Sequence, residues 1–231
     1  MNIPAWSQFS NLPALQVAFE KWTFQTLLLE RLSEVVGIGV CSNVSALSPA
    51  AQAVIASFKT AKVSGILSTK NAKRLSTSFS LVYEGECIAC VYLKGNYQLN
   101  ESLEICCKAV QRDLLNELTL VTFSYIDKEL TNSLAAVLVG VSEYQLQGFC
   151  LQDEVERLLE QPSCRHRSAL IVATVCDANY YIFINDGVLV GVMVAIYCAR
   201  GPKIGFSRDI SMLSFESKFN SEAYLEIFGF E

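Results

Sequence analysis

Cys87 and Cys90, separated by two residues, are the pair in this chain that most resembles a chemical motif. A redox-active pair of this spacing usually sits at the N-terminus of a helix, where the helix dipole lowers the thiol pKa. Here both cysteines fall within the second apolar run of residues 79–93, which is typical of a β-strand, where an odd spacing predicts side chains on opposite faces. We therefore expect two packed thiols.

The other residues able to do chemistry show no partner at a useful spacing. Cys106 and Cys107 are adjacent on one helix stripe, and Cys164 lies near His166 without a second pair, so no zinc site is predicted. His166 is the only histidine, and a Ser-His-Asp or Cys-His site would have to use it. No Gly-x-Ser-x-Gly elbow is present. We expect no catalytic residue, no metal ligand and no cofactor. The sequence favours a protein that is not an enzyme.

Two features could bind anions. The pair Gly37 and Gly39 lacks the third glycine or the Gly-Lys-Ser/Thr of a phosphate loop, so a tight turn is the better interpretation. A basic stretch over residues 59–74 lacks interleaved aromatic residues. A net charge of −5 and a pI of about 5.1 also disfavour nucleic acid and anionic membranes. We expect no nucleic-acid partner.

The composition is apolar, with 52% hydrophobic and 18% charged residues and a mean hydropathy of +0.32. This excludes disorder and predicts either extensive burial or an apolar surface for a partner. The longest uncharged run, residues 187–199, is shorter than the ~20 residues of a membrane helix, so no membrane span is expected. The first residues, MNIPAWSQFSN, show no secretory pattern. We expect a cytoplasmic protein whose nine cysteines are reduced.

Two stretches share one outline. Residues 180–196 contain two apolar runs joined at Asp186-Gly187, which is a strong hairpin signal, and residues 79–93 repeat the pattern around Glu84-Gly85. Aligning Gly85 with Gly187 places Ile88 on Val190 and Ala89 on Gly191. This alignment predicts a duplicated unit.

The predicted fold is α+β, or α/β, with two similar helix–strand–hairpin–helix–strand units packed as a pseudo-symmetric body and an N-terminal helix. Helix starts are predicted at Ser48-Pro49, at Asn100 and at Asp153 with Glu156. The expected organisation is an N-terminal helical segment (1–47), a first repeat unit (48–127), a connector (128–152) and a second repeat unit (153–231).

The predicted N-terminal helix, residues 12–34, is apolar around most of its circumference, so one face packed on the body would leave large side chains in water. We expect it to bind a protein partner or a second copy of the chain, most simply as a homodimer. The candidate interaction residues are Phe19, Trp22, Phe24, Leu28 and Leu29.

Ser64-Gly65-Ile66-Leu67, followed by a hairpin with Phe79, Gly85 and Ala89, resembles the pattern of the PatA N-terminal domain family. The second copy keeps part of it, with Gly191 in place of the alanine. The resemblance implies a non-catalytic module of bacterial signalling proteins. Two hypotheses follow: a non-enzymatic interaction or regulatory protein acting through apolar surfaces, or a small-molecule binder or enzyme with a cleft between the two units.

Overall fold

The computed structural model of the protein describes residues 28–29, 32, 35–95, 97–98, 102–139, 141–161, 167–176, 178–198, 201–209 and 220–230. These residues fall into two compact units, the first over residues 28–138 and the second from residue 139 onward. Each unit contains one antiparallel sheet and helices, so the fold is mixed α+β.

In the first unit, residues 28, 29, 32 and 35 are helical and precede a series of strands and helices. In chain order these are β1 (Ile38–Ser45), α1 (Pro49–Ala61), β2 (Gly65–Asn71), β3 (Ser76–Tyr83), β4 (Glu86–Lys94), β5 (Tyr97–Gln98), α2 (Leu103–Leu114), β6 (Thr119–Tyr125) and α3 (Lys128–Val139). The strands form a sheet in the order β1-β6-β2-β3-β4-β5, and every neighbouring pair is antiparallel.

The second unit begins with the same order of elements, one strand, one helix and four further strands. Its elements are β7 (Val141–Phe149), α4 (Leu151–Glu160), β8 (Ser168–Val175), β9 (Ala178–Asn185), β10 (Val188–Cys198), β11 (Gly201–Ser207) and β12 (Asn220–Phe230). Its antiparallel sheet has the order β7-β12-β8-β9-β10-β11. Adding six to each strand number of the first sheet gives the second order, so the two sheets share one connectivity.

Both predicted hairpins are confirmed. Glu84-Gly85 joins β3 to β4 and Asp186-Gly187 joins β9 to β10, and all four residues have positive φ, as a two-residue type I′ turn requires. Each hairpin then carries one extra residue in its second strand, Ile88 in β4 and Val190 in β10. Such a β-bulge shifts the alternation of side chains along the strand by one position.

Helix α1 begins where the sequence predicts. Ser48 is its N-cap and accepts a hydrogen bond from the Ala51 amide at 3.2 Å, with Pro49 in the first turn. The helix ends at Lys62, whose left-handed backbone conformation closes the last turn.

Two predicted helix starts are wrong. Helix α2 is capped by the Ser102 side chain and not by Asn100. Helix α4 begins at Leu151, ahead of the predicted Asp153 box, because Leu151 is buried and extends the apolar stripe of Val155 and Leu158 by one turn.

The sheet extends beyond the predicted unit boundaries. β1 lies in the predicted N-terminal segment 1–47 but pairs with β6, and the predicted connector 128–152 contains α3 and β7. β11 begins at Gly201, and Pro202 is its second residue. Because β11 is an edge strand, Pro202 opposite Tyr197 is tolerated there.

Both faces of the central strands are buried in each sheet. In the first sheet, the face that carries Leu67, Val82 and Phe123 packs with Phe58 of α1, while Leu81 and Phe79 on the opposite face are also buried. In the second sheet the α4 side forms one continuous apolar core. No helix of the described residues is long and apolar enough to cross a membrane.

Candidate functional site

A pocket of about 550 Å³ lies between α1, α2 and the first sheet, entirely within the first unit. Helix α1 supplies one wall and α2 the other, and strands β2, β3 and β4 form the floor. The apolar part of the lining consists of Ile55, Phe58, Leu67, Val82, Val110 and Leu114.

The polar part of the lining comes from the floor and from α2. It consists of Ser80, Glu86, Cys87, Cys107 and Gln111. Ser80 is buried, the two thiols are partly buried, and Glu86 and Gln111 are exposed. Glu86 is the one charged residue among the described residues that line the pocket.

Cys87 and Cys90 lie on the same face of the sheet, so the prediction of opposite faces is wrong. The bulge at Ile88 explains this difference, since Cys87 pairs with Val82 and Cys90 with Ser80, two residues apart on β3. The Ser80 hydroxyl donates a hydrogen bond to the Cys90 Sγ at 3.4 Å. A period-two pattern read from sequence contains no signal for a bulge.

Cys87 and Cys90 are held in the protonated form. Burial raises the pKa of Cys87 well above its ordinary value, and the neighbouring Cys107 and Cys90 thiols raise it further. Burial also raises the pKa of Cys90 to about 12, although the Ser80 hydrogen bond opposes the increase. Because the thiolate is the reactive species, both cysteines are poor nucleophiles at neutral pH. Cys87 lines the pocket as a small apolar group. All eight cysteines in the described part of the chain are free thiols.

A buried carboxylate holds the α2 wall in place. Asp113 is 0% exposed and accepts hydrogen bonds from the Ser76 hydroxyl at 2.6 Å and the Tyr92 hydroxyl at 2.7 Å. The Arg74 Nε lies 3.4 Å from its other carboxylate oxygen. Thr119 Oγ1 donates to the Asp113 backbone carbonyl at 2.6 Å. Burial raises the pKa of Tyr92, so this hydroxyl remains a donor at neutral pH.

Sequence reasoning missed Asp113, although a signal was available. Val110 lies three residues before it and Cys106 seven, so Asp113 falls on the apolar stripe of α2. A charged residue on a buried stripe requires partners, and Arg74, from the basic stretch over residues 59–74, supplies one.

One end of the first sheet exposes five leucines, four on its connecting turns and Leu120 at the start of β6. Leu115 is 79% exposed and Leu75 73%, and Leu47, Leu118 and Leu120 are also exposed. The turns are linked by backbone hydrogen bonds, from the Ala46 amide to the Thr119 carbonyl at 2.8 Å and from the Ala72 amide to the Leu118 carbonyl at 3.3 Å. We call these five residues the leucine end.

The candidate interaction residues of the predicted N-terminal helix lie only partly within the described residues. Leu28 and Leu29 are helical and buried, at 3% and 1% exposure. Phe19, Trp22 and Phe24 lie outside the described residues, as do Cys164 and His166. Among the residues that the structure does describe, no group of three or more His, Cys, Asp or Glu is arranged to hold a metal ion.

Comparisons of the chain with protein-family models, with curated proteins and with solved structures found no match.

Proposed function

We propose that this protein is a non-enzymatic interaction or regulatory protein that acts through apolar surfaces of a duplicated α+β unit. The proposal keeps the cytoplasmic location expected from the sequence. The leucine end is the observation that carries it.

Three features of the fold support the duplication. The two sheets share their strand order, and both central hairpins turn through two residues of positive φ. Ile88 and Val190, which the Gly85–Gly187 alignment places together, are both bulge residues. A β-bulge is a specific local device, so its recurrence at aligned positions favours a common ancestral unit over chance.

The leucine end supports an interaction surface. Turns at sheet ends normally carry polar residues, Gly or Pro, and leucine there gains nothing from the fold of the chain itself. Burying one fully exposed leucine contributes roughly 1.5–3 kcal/mol. Five exposed leucines at one end of a sheet are therefore a plausible contact surface for a protein partner or a second copy of the chain.

We propose that the predicted N-terminal helix contributes to the interaction and that its residues have two different roles. Leu28 and Leu29 would have to leave their buried positions to contact a partner, so we assign them to anchoring the helix. Phe19, Trp22 and Phe24 stay predicted contact residues.

The pocket of the first unit favours a second candidate function, a small-molecule-binding protein. It lies within one unit, whereas the sequence placed such a cleft between the two.

Sedimentation velocity of the full chain tests the proposed interaction. Wild type is expected to form dimers with rising concentration, and the double variant Leu75→Ser, Leu115→Ser to stay monomeric. Val188→Ser is the matched control, because it removes another exposed apolar side chain, 65% exposed in the second hairpin, and should associate as wild type does.

If the partner is another protein, chemical cross-linking in extract of the native host should yield a complex that the double variant loses and Val188→Ser keeps. A monomeric wild type without any complex that depends on the leucine end would contradict the proposal. Circular dichroism melts establish that each variant is folded.

A further inference from the structure

The pocket of the first unit has the size of a small-molecule site. Its volume of about 550 Å³ falls within the roughly 300–1,000 Å³ typical of ligand pockets. It is bounded by three structural elements of a single unit, α1, α2 and the sheet, so its walls do not depend on a second domain.

At two positions of β3 the first unit has small polar side chains where the second unit has large apolar ones. The register of the two hairpins matches Ser80, opposite Cys90, with Ile182, opposite Val192. By the same register Ser78 matches Tyr180. Ile182 and Tyr180 belong to the apolar core on the α4 side of the second sheet. The corresponding layer of the first unit therefore holds hydroxyl groups and a pocket in place of packed hydrocarbon.

The lining defines the chemistry of an occupant. Most of the surface is apolar, and burial raises the pKa of the Cys87 thiol well above its ordinary value, so this thiol is neutral at physiological pH. A hydrogen bond is available from the Gln111 amide at the edge, whereas the Ser80 hydroxyl on the floor already donates to the Cys90 Sγ. The described lining contains one carboxylate, Glu86, and no cationic side chain, so an anion would meet repulsion without compensation.

We propose that the first unit binds a neutral, largely apolar small molecule in this pocket, with a polar group of the ligand hydrogen-bonded to Gln111. The Asp113 network fixes α2 against the sheet and keeps the pocket open. The proposal is independent of the association assigned to the leucine end.

The test uses the full chain and Nile red, a neutral apolar dye whose fluorescence rises in apolar surroundings. Wild type should bind one dye per chain. Ser80→Ile introduces the side chain that the second unit carries and should weaken binding at least about tenfold, which corresponds to about 1.4 kcal/mol. Ala56→Trp, on the opposite wall and at an exposed position, should have the same effect.

Ser80→Ala is the matched control, because it keeps the space and removes only the hydroxyl, and it should bind within about twofold of wild type, a difference of under 0.5 kcal/mol. Native mass spectrometry of protein purified without denaturant should detect a neutral bound molecule in wild type and Ser80→Ala, and none in Ser80→Ile.

Three results would overturn the proposal. One is a wild type that binds no dye, and another is binding that both pocket-filling variants leave unchanged, since the dye would then occupy another surface. The third is a combined result, in which wild type binds no dye and Ser80→Ile sediments differently from wild type. That result would mean that the pocket holds a side chain of a protein partner. Circular dichroism melts of all variants separate loss of the pocket from loss of the fold.

Discussion

Asp113 illustrates how one residue of the first unit links core and pocket. A carboxylate that is 0% exposed loses its hydration, and the loss is offset only by specific donors. Two hydroxyls, from β3 and β4, donate hydrogen bonds to it, and the Arg74 guanidinium on the turn after β2 adds an ion pair. These three groups are thereby tied to the last turn of α2, which also carries the Leu114 side of the pocket wall. Asp113 is a positioning residue, since it does not line the pocket.

Replacing this carboxylate should cost substantial stability. Asp113→Ala leaves Tyr92 and Ser76 without their acceptor in the core. We expect a loss of about 3 kcal/mol, at the low end for breaking a buried ion pair, because Arg74 is about one-third exposed. Urea denaturation measures it. Glu104→Ala on the same helix is the control, since its pair with Lys108 is exposed and should contribute no more than about 0.5 kcal/mol. Equal losses in the two variants would contradict this role.

The thiols predict a specific alkaline response. The folded-state pKa of Cys90 is raised to about 12 from an ordinary value of 9.0, so the folded protein binds the proton more tightly than the unfolded chain. The stabilisation is complete below pH 9 and is lost as the pH rises toward 12. Cys87 contributes in the same direction.

Between pH 9 and 11 the free energy of unfolding should therefore fall, by up to about 1.4 kcal/mol per pH unit for each such thiol. Cys90→Ala should reduce the slope measured by urea denaturation, whereas Cys198→Ala, which removes an exposed thiol, should keep it. A wild-type slope unaffected by Cys90→Ala would refute this interpretation.

At the scale of secondary-structure elements, a turn or a helix start could be predicted from the sequence where one or two residues determine it. Asp186-Gly187 and Ser48-Pro49 specify a turn and a helix start on their own, and both are confirmed. The bulge at Ile88 could not be predicted, because it depends on pairing across the sheet. Without it, Cys87 and Cys90 were assigned to opposite faces.

The pocket was beyond sequence reasoning for a related reason. It arises from side chains that are small relative to their neighbours, and volume left empty becomes visible only when α1, α2 and the sheet are assembled. No feature of the sequence distinguishes the serines of β3 from other strand residues. The difference becomes visible when Ser78 and Ser80 are compared with Tyr180 and Ile182, which occupy the matching register.

The close approach of β2 and β6 gives a prediction for this sheet. A Cβ added to Gly65 would lie 2.2 Å from the Ser124 carbonyl oxygen, which is backbone and cannot rotate away. Gly65→Ala should therefore force the two strands apart and cost at least about 2 kcal/mol in the free energy of unfolding. Gly39→Ala in β1 is the control, since nothing lies within 4 Å of its added Cβ. Guanidinium denaturation compares them, and a neutral Gly65→Ala would contradict the geometry.

At the scale of the whole molecule, the two units have one connectivity and different interiors. The helix-covered side of the first sheet buries a stripe of polar residues that are hydrogen-bonded to one another, including Thr69 with Ser78 at 2.7 Å. The matching stripe of the second sheet is Ala173, Val175, Ala178, Tyr180 and Ile182. The first unit therefore buries polar side chains beside a pocket, whereas the second buries a packed apolar core.

The difference between the two interiors should make the first unit locally less stable than the second. Buried apolar area contributes roughly 25 cal/mol per Å², whereas a buried hydrogen bond adds only about 0.5–1.5 kcal/mol net. The first unit also contains the pocket, and low contact density favours local opening. We expect amide hydrogens of β2 and β3 to exchange faster than those of β8 and β9, measured by hydrogen–deuterium exchange with mass spectrometry. Ser80→Ile fills the pocket and should reduce the difference in exchange rate between the two pairs of strands. Ser80→Ala should leave this difference unchanged. Protection in β2 and β3 equal to or above that of β8 and β9 would show that the hydrogen-bonded stripe stabilises the first unit as well as hydrocarbon does the second.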